Sequence, residues 1–212
     1  MVGQTVGRSP WLLGGAPGGL AAVVAASVVA SSGRVGAAER AVFAAINGLP
    51  DALRWPMWVF QLLGLLLLPL IVAAVVLLWR RIRLAIALVA LVPLKLLAEK
   101  AVVKELVHRE RPGRTEPDPI LRDVPSAGNS FPSGHAVIAF GIATLLTPYL
   151  GRWGRVTVWA LATLNGVARV YLGAHNPLDV VCGAGVGVVL GAVLAYVVGV
   201  PVRSRAETEV SA

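Results

Sequence analysis

The sequence predicts an all-α protein, a polytopic membrane helix bundle with six transmembrane helices, on three observations. Of its 212 residues, 57% are hydrophobic and 14% charged, against roughly 45–50% and about 25% in soluble domains. The run Trp55–Trp79 carries no charge between Arg54 and Arg80, and roughly 20 such residues cross a bilayer core. The basic residues, 19 against 11 acidic ones, punctuate apolar segments instead of lining one face. This composition excludes disordered, collagen-like and disulfide-scaffold classes. A net charge of +8 suggests nucleic acid only where a basic patch sits on a soluble fold, so no nucleic-acid partner is expected. The single cysteine, Cys182, rules out an intrachain disulfide and reads as packing.

The first span, Trp11–Ser31, is rich in Ala, Gly and Val. With Arg8 ahead of it, a cleavable signal peptide is the alternative, although the apolar run is long for one. Gly36–Pro50 follows, with Glu39 and Arg40 on one side and Val42, Phe43, Ile46 and Leu49 available for the other. That spacing reads as an amphipathic helix at the membrane interface, or as a simple loop between spans. The second span is Trp58–Trp79, ended by tryptophans where an aromatic belt lies. The third is Leu84–Lys104, with a kink expected at Pro93. Glu105–Pro132 is the longest polar loop. The remaining spans are Ser133–Leu150, Val156–Tyr171 and Pro177–Val200, and the tail carries Arg203 and Arg205.

The short loops Arg80-Arg81-Ile82-Arg83 and Arg152-Trp153-Gly154-Arg155 are basic and free of acids. The positive-inside rule puts them in the cytoplasm, with Arg8, Arg203 and Arg205. The other polar residues near span ends then converge on the opposite face, because an odd span leaves where the next even one enters. They are Lys104 and Arg111, the Ser133-Gly134-His135 run, Arg169, and His175 with Asp179. Ionisable groups are expensive inside a membrane, so such a gathering marks a functional site.

Lys104 and Arg111 stand seven residues apart, about two helical turns. Two cations on one stripe seat an anion, and a solvated helix end explains that pair equally well. Ser133 caps the fourth span, whose free N–H groups attract anions, Gly134 admits a ligand to the backbone, and a plain cap is the alternative. Asp179 can accept a proton from one nitrogen of His175 and leave the other free as a nucleophile; a capping aspartate beside an interfacial histidine is the other reading.

Taken together, three motifs follow in order: K-x(6)-R-P at Lys104, Arg111 and Pro112, P-S-G-H ending in His135, and R-x(5)-H-x(3)-D at Arg169, His175 and Asp179. This arrangement resembles the type 2 phosphatidic acid phosphatase superfamily, the integral-membrane lipid phosphatases that share a site with vanadium-dependent haloperoxidases. The resemblance covers residues 36–200, with one departure: Ala168 stands where the family usually has Ser. It implies that Lys104, Arg111, Arg169, the Ser133 hydroxyl and the Gly134 N–H hold the phosphoryl group. It also implies that His175, oriented by Asp179, attacks phosphorus to form a phosphohistidine, and that His135 protonates the leaving oxygen and then activates water. Three fixed cations can replace a metal, so neither a metal nor a cofactor is expected.

The implied function is hydrolysis of a lipid phosphate or diphosphate, with a polyprenyl (undecaprenyl-type) diphosphate the first choice. The site is expected on the extracytoplasmic face of a multi-pass plasma-membrane protein. The partners are the lipid phosphate and the bilayer, and a homo-oligomer is left open. A phosphotransferase with an alcohol acceptor is one alternative; a transporter or binding protein, favoured by Ala168 and the Lys95/Glu99 pair, is another. Residues 1–35 are expected as an N-terminal transmembrane helix, 36–202 as the phosphatase domain and 203–212 as a cytoplasmic tail. Lys95 and Glu99, four apart in the third span, read as a neutralising pair inside the bundle. His108 is a further candidate for substrate contact. The glycines Gly183, Gly185, Gly187 and Gly191 read as close helix packing.

Overall fold

The computed structural model describes residues 6–7, 13–99 and 107–201. Lys104, Lys100, Arg8, Arg203 and Arg205 lie outside the described residues. The architecture is all-helical: α1 Ala16–Ala30, α2 Ala37–Asn47, α3 Arg54–Gln61, α4 Leu68–Leu78, α5 Ile82–Leu97, α6 Gly134–Leu146, α7 Arg152–Tyr171 and α8 Pro177–Val198. A two-residue antiparallel pairing, Val6–Gly7 with Val200–Pro201, joins the chain's two ends. Among the described residues, α8 is the helix long and apolar enough by itself to cross a membrane; Asp51–Gly64 with Leu68–Leu78 qualifies only as a bent pair.

That bent pair corrects the second span. The expected continuous helix breaks at 65–67 and turns by 71°. Pro69 lacks an N–H and its ring clashes with the carbonyl four residues back, which here is Leu65, and Leu65 is extended at ψ 141°. The carbonyls freed at the end of α3 are taken up across the bundle. Buried Asn165 of α7 donates from Nδ2 to Phe60 O and Gln61 O, both at 3.0 Å, so the break leaves no orphaned acceptor there. Pro93, by contrast, sits inside α5 without ending it.

Helix α8 is the centre of the bundle, between α1 and α6, and its glycines explain how. A Cβ on Gly185 would approach Gly19 O of α1 at 2.6 Å, and one on Gly187 would approach Val137 O of α6 at 2.5 Å. Backbones therefore touch where side chains would hold them apart. On the flank, Leu84, Leu88 and Leu91 of α5 pack with Ile138, Ile142 and Leu145 of α6 and Leu194 of α8. The outward faces of α1, α4 and α5 stay apolar, with Val28, Leu78, Ile82 and Ile86 more than half exposed.

Helix α2 forms as expected, with Phe43 and Ile46 inward and Arg40 outward, but its faces are not cleanly divided. Phe43 and Asn47 are buried, while Val42 and Leu49 are exposed, and Glu39 turns inward with them at helical spacing, its side chain 7% exposed. Asn47 ties the polar loop down: its side chain accepts from Ile120 N at 2.8 Å and donates to Ile120 O and Tyr171 O, each at 2.9 Å. Arg122 adds Asn47 O and Tyr171 O at 2.9 and 2.7 Å. The loop is thus fixed to the α2–α3 junction and the end of α7. The basic short loops lie at the other end, where Arg83 donates to Val198 O of α8 at 3.0 Å.

Candidate active site

A cavity of about 360 Å³ opens at the end of the bundle where α6 and α8 begin and α7 ends. Arg111, Gly134, His135, Arg169 and His175 all line it. At least one chemistry-bearing residue of each of the three motifs therefore reaches this cavity, while Ser133 and Asp179 are buried behind its wall. Lys104 lies outside the described residues. His108 is exposed and is not among the lining residues.

Each side chain is delivered by a helix end. Ser133 is the N-cap of α6, but its hydroxyl does not cap: Oγ is buried without a partner. Its backbone N–H donates to Asp179 O at 2.9 Å, which locks the P-S-G-H loop to the start of α8. At Gly134 the ends of the Lys95 and Glu99 side chains come close to the backbone: a Cβ there would meet Lys95 Nζ and Glu99 Oε2, each at 2.7 Å. Gly64, at the break after α3, gives His135 its room; a Cβ on Gly64 would lie 2.6 Å from His135 Cα.

Arg169, in the last turn of α7, is 6% exposed and donates to the Gln61 side chain at the end of α3, while its Nε has no partner. Arg111 donates to Ala174 O at 2.9 Å, and burial lowers its pKa despite the nearby Asp179 and Glu99. Both guanidiniums thus keep donors to spare at the cavity. Ala168, in place of the usual serine, points away into a cluster with Met57, Tyr171 and Leu172.

His175 lies between α7 and α8 and is 4% exposed. Its Nδ1 is 3.6 Å from Asp179 Oδ2, a little beyond hydrogen-bond length. The same oxygen accepts from Asn176 N at 2.8 Å, the reach-back of a capping box. Burial is the main force lowering the His175 pKa, with Arg169 and Arg111 adding to it and Asp179 opposing. Burial and the two arginines thus favour the neutral form of the imidazole.

Several residues at or around the site lie outside the three motifs. Lys95 and Glu99 do pair with one another, but they line the cavity instead of simply filling the bundle. Gln61 holds Arg169. Arg109, fully buried, joins Asp179 to Glu39. Leu65 and Leu66, at the α3–α4 corner, form an apolar lip on the cavity. Among the described residues, no group of three or more His, Cys, Asp or Glu side chains is arranged to hold a metal.

Residues 65–202 match the PAP2 superfamily, a segment that contains every motif residue lining the cavity. The chain belongs to the PAP2 superfamily. It is 39% identical over 74 residues to the lipid A 1-phosphatase of Porphyromonas gingivalis, covering 34% of this chain and 17% of that one. It is 33% identical over 108 residues to the decaprenylphosphoryl-5-phosphoribose phosphatase of Mycobacterium tuberculosis, covering 49% and 56%. The chain thus spans well under two thirds of the length of either curated relative. The crystal structure of Aquifex aeolicus LpxE superposes with a TM-score of 0.59 at 27% identity, over 72% of this chain and 92% of that one. The PAP2 match leaves out α1, α2, α3 and the turn after α3; of these α2 supplies Glu39, α3 Gln61 and the turn Gly64 to the site or its surroundings.

Proposed function

We propose that this PAP2 protein is a metal-independent lipid-phosphate phosphatase working through a phosphohistidine. The observation that carries the reading is the convergence of Arg111, Arg169, His135 and His175 on one cavity with Asp179 buried behind His175. The cations and the α6 N-terminus, with Lys104, hold the phosphoryl oxygens and stabilise the charge that develops in the transition state. Asp179 faces Nδ1, so Nε2 of His175 attacks phosphorus. The bond to the lipid oxygen breaks, and His135 gives that oxygen its proton. His135 then takes a proton from water, whose oxygen attacks phosphorus; the P–N bond breaks and its electron pair returns to His175.

The substrate is a lipid monoester of phosphate or diphosphate, with a polyprenyl diphosphate the first choice. The apolar lip at Leu65 and Leu66 supports a tail that enters from the bilayer, as does the apolar cavity behind it between α4, α6 and α7. A polyprenylphosphoryl sugar phosphate is the second reading, favoured by the name of the Mycobacterium tuberculosis relative. The protein crosses the plasma membrane six times, with α3 and α4 together making one bent span and the site on the extracytoplasmic face. In this reading, residues 1–35 are an N-terminal transmembrane helix, 36–202 the phosphatase domain and 203–212 a cytoplasmic tail. The exposed apolar faces of α1, α4 and α5 support the bilayer as their surroundings.

The test is phosphate release by detergent-purified protein in EDTA. The panel is polyprenyl diphosphate, a polyprenylphosphoryl pentose phosphate, phosphatidate and phosphatidylglycerophosphate, with His175→Ala run alongside. Release from a prenyl substrate that vanishes in the variant is expected. Release that survives in His175→Ala overturns the mechanism, and preference for phosphatidate overturns the substrate choice.

A further inference from the structure

Arg109 has no part in the mechanism above, yet its side chain is fully buried between two carboxylates. Its Nη1 and Nη2 donate to Glu39 Oε1 and Oε2 at 2.9 and 2.5 Å, and Nη1 also donates to Asp179 Oδ1 at 3.2 Å. Nη2 reaches Arg34 O at 3.4 Å. Glu39 Oε1 also accepts from Leu178 N in the first turn of α8, at 2.9 Å. Arg109 O accepts from Ser130 N at 2.8 Å, so the same residue anchors the loop that leads to Ser133 and His135.

These contacts sort the two oxygens of Asp179. Oδ1 meets Arg109, while Oδ2 meets Asn176 N and faces His175. An arginine alone would draw charge away from Asp179 and weaken its hold on the imidazole. A bidentate carboxylate on the far side of that arginine neutralises it. Charge then alternates along one buried line, from Asp179 to Arg109 to Glu39.

We propose that Arg109 and Glu39 are positioning residues for His175: Arg109 fixes the Asp179 carboxylate, and Glu39 offsets the arginine so that Asp179 keeps its strength as an acceptor. The proposal rests on His175 being the nucleophile. It gives α2, a helix outside the matched PAP2 segment, a direct bearing on the chemistry. The other charged or titratable groups around His175 face it from across the cavity: Arg111, Arg169, His135, Lys95 and Glu99. None of these touches Arg109 or Glu39 in the contacts described above, so changes at Glu39 reach His175 through Arg109 and Asp179, or through Leu178 N in the first turn of α8.

The test is steady-state phosphate release from the best panel lipid by the full chain carrying Glu39→Gln, Glu39→Asp or Arg109→Lys, with thermal midpoints in the same detergent. Misplacing a reacting group by about 1 Å can lower turnover by about 10²-fold, and a smaller shift costs less. Glu39→Gln is therefore expected to lower kcat about tenfold with KM within about twofold and the midpoint held, and Glu39→Asp to recover part of the loss. Arg109→Lys should lose more. If it does not fold, the Glu39 pair decides alone. A kcat for Glu39→Gln within twofold of wild type, or a loss matched by collapse of the midpoint, overturns the proposal. Full activity in Glu39→Gln beside a dead His175→Ala removes this inference alone; an active His175→Ala removes the nucleophile beneath it.

Discussion

Arg122 and Arg169 are equally buried, at 5% and 6% exposed, and differ in what their guanidiniums meet. Arg122 donates to Asn47 O, Tyr171 O and Leu49 O and to Asp51, and lies 4.0 Å over the Tyr171 ring. Every side of it is used. Arg169 donates to Gln61 and leaves Nε without a partner beside the cavity. A buried arginine saturated by carbonyls staples loops together. One held at a single corner keeps its charge and its donors for a ligand. Exposure alone does not separate the two; the partners do.

The comparison breaks most visibly under parallel substitution. Arg169→Gln is expected to lower kcat/KM by roughly 10²–10³, the effect of removing one donor aimed at developing charge, with a thermal midpoint near that of wild type. Arg122→Gln leaves the buried Asn47 carbonyl unpartnered, at roughly 1–3 kcal/mol, while Tyr171 O keeps Asn47 Nδ2; the midpoint should fall by at least about 2 °C. Below that midpoint its kcat and KM should stay near wild type. Activity assays paired with melts in one detergent check both. If the two variants lose activity and midpoint in the same proportion, the distinction between staple and site cation is wrong.

A pH profile sharpens the same contrast. Burial first, then Arg169 and Arg111, hold the His175 pKa below its ordinary value, against the pull of Asp179. A histidine held low stays neutral as pH falls, so the acid limb of kcat/KM should lie below about 6.5. Arg169→Gln removes one of the charges that lower it. His175 then takes up a proton at higher pH, and the limb moves upward. Arg122→Gln should leave the limb in place. A limb that ignores Arg169, or moves down, would detach that charge from the histidine.

What the sequence disclosed of this site follows from what spacing can encode. Arg111, His135, Arg169 and His175 are marked by motif order and by their places at span ends, and they do share one cavity. Their supports are not marked. Glu39 meets Arg109 across 70 residues and Gln61 meets Arg169 across 108, and contacts at such separation leave no local pattern. Glu39 reads as part of the polar face of α2, because amphipathic spacing sends charge outward and does not encode a buried arginine 70 residues away. The break after α3 has a local signal in Gly64 and Pro69, but an uncharged run of 25 residues matches a straight span, and length and hydropathy by themselves do not encode a bend. The Lys95–Glu99 pair was legible as a pair; its place on the cavity wall depended on how α5 is rotated, which composition does not set.

The smallest expected effect concerns Ala168, the one departure from the motif. On spacing alone, a missing hydroxyl next to Arg169 suggests a lost phosphate contact. Its neighbours argue otherwise: Ala168 is fully buried against Met57, Tyr171 and Leu172, on the side of α7 that packs on α3. A serine there would turn its hydroxyl back to the carbonyl four residues earlier in the helix, satisfying it locally. Ala168→Ser should therefore change kcat/KM by less than about twofold and stability by less than about 1 kcal/mol. A gain of fivefold or more in kcat/KM would mean that the hydroxyl reaches the substrate, and that α7 turns further toward the cavity during turnover than its packing on α3 implies.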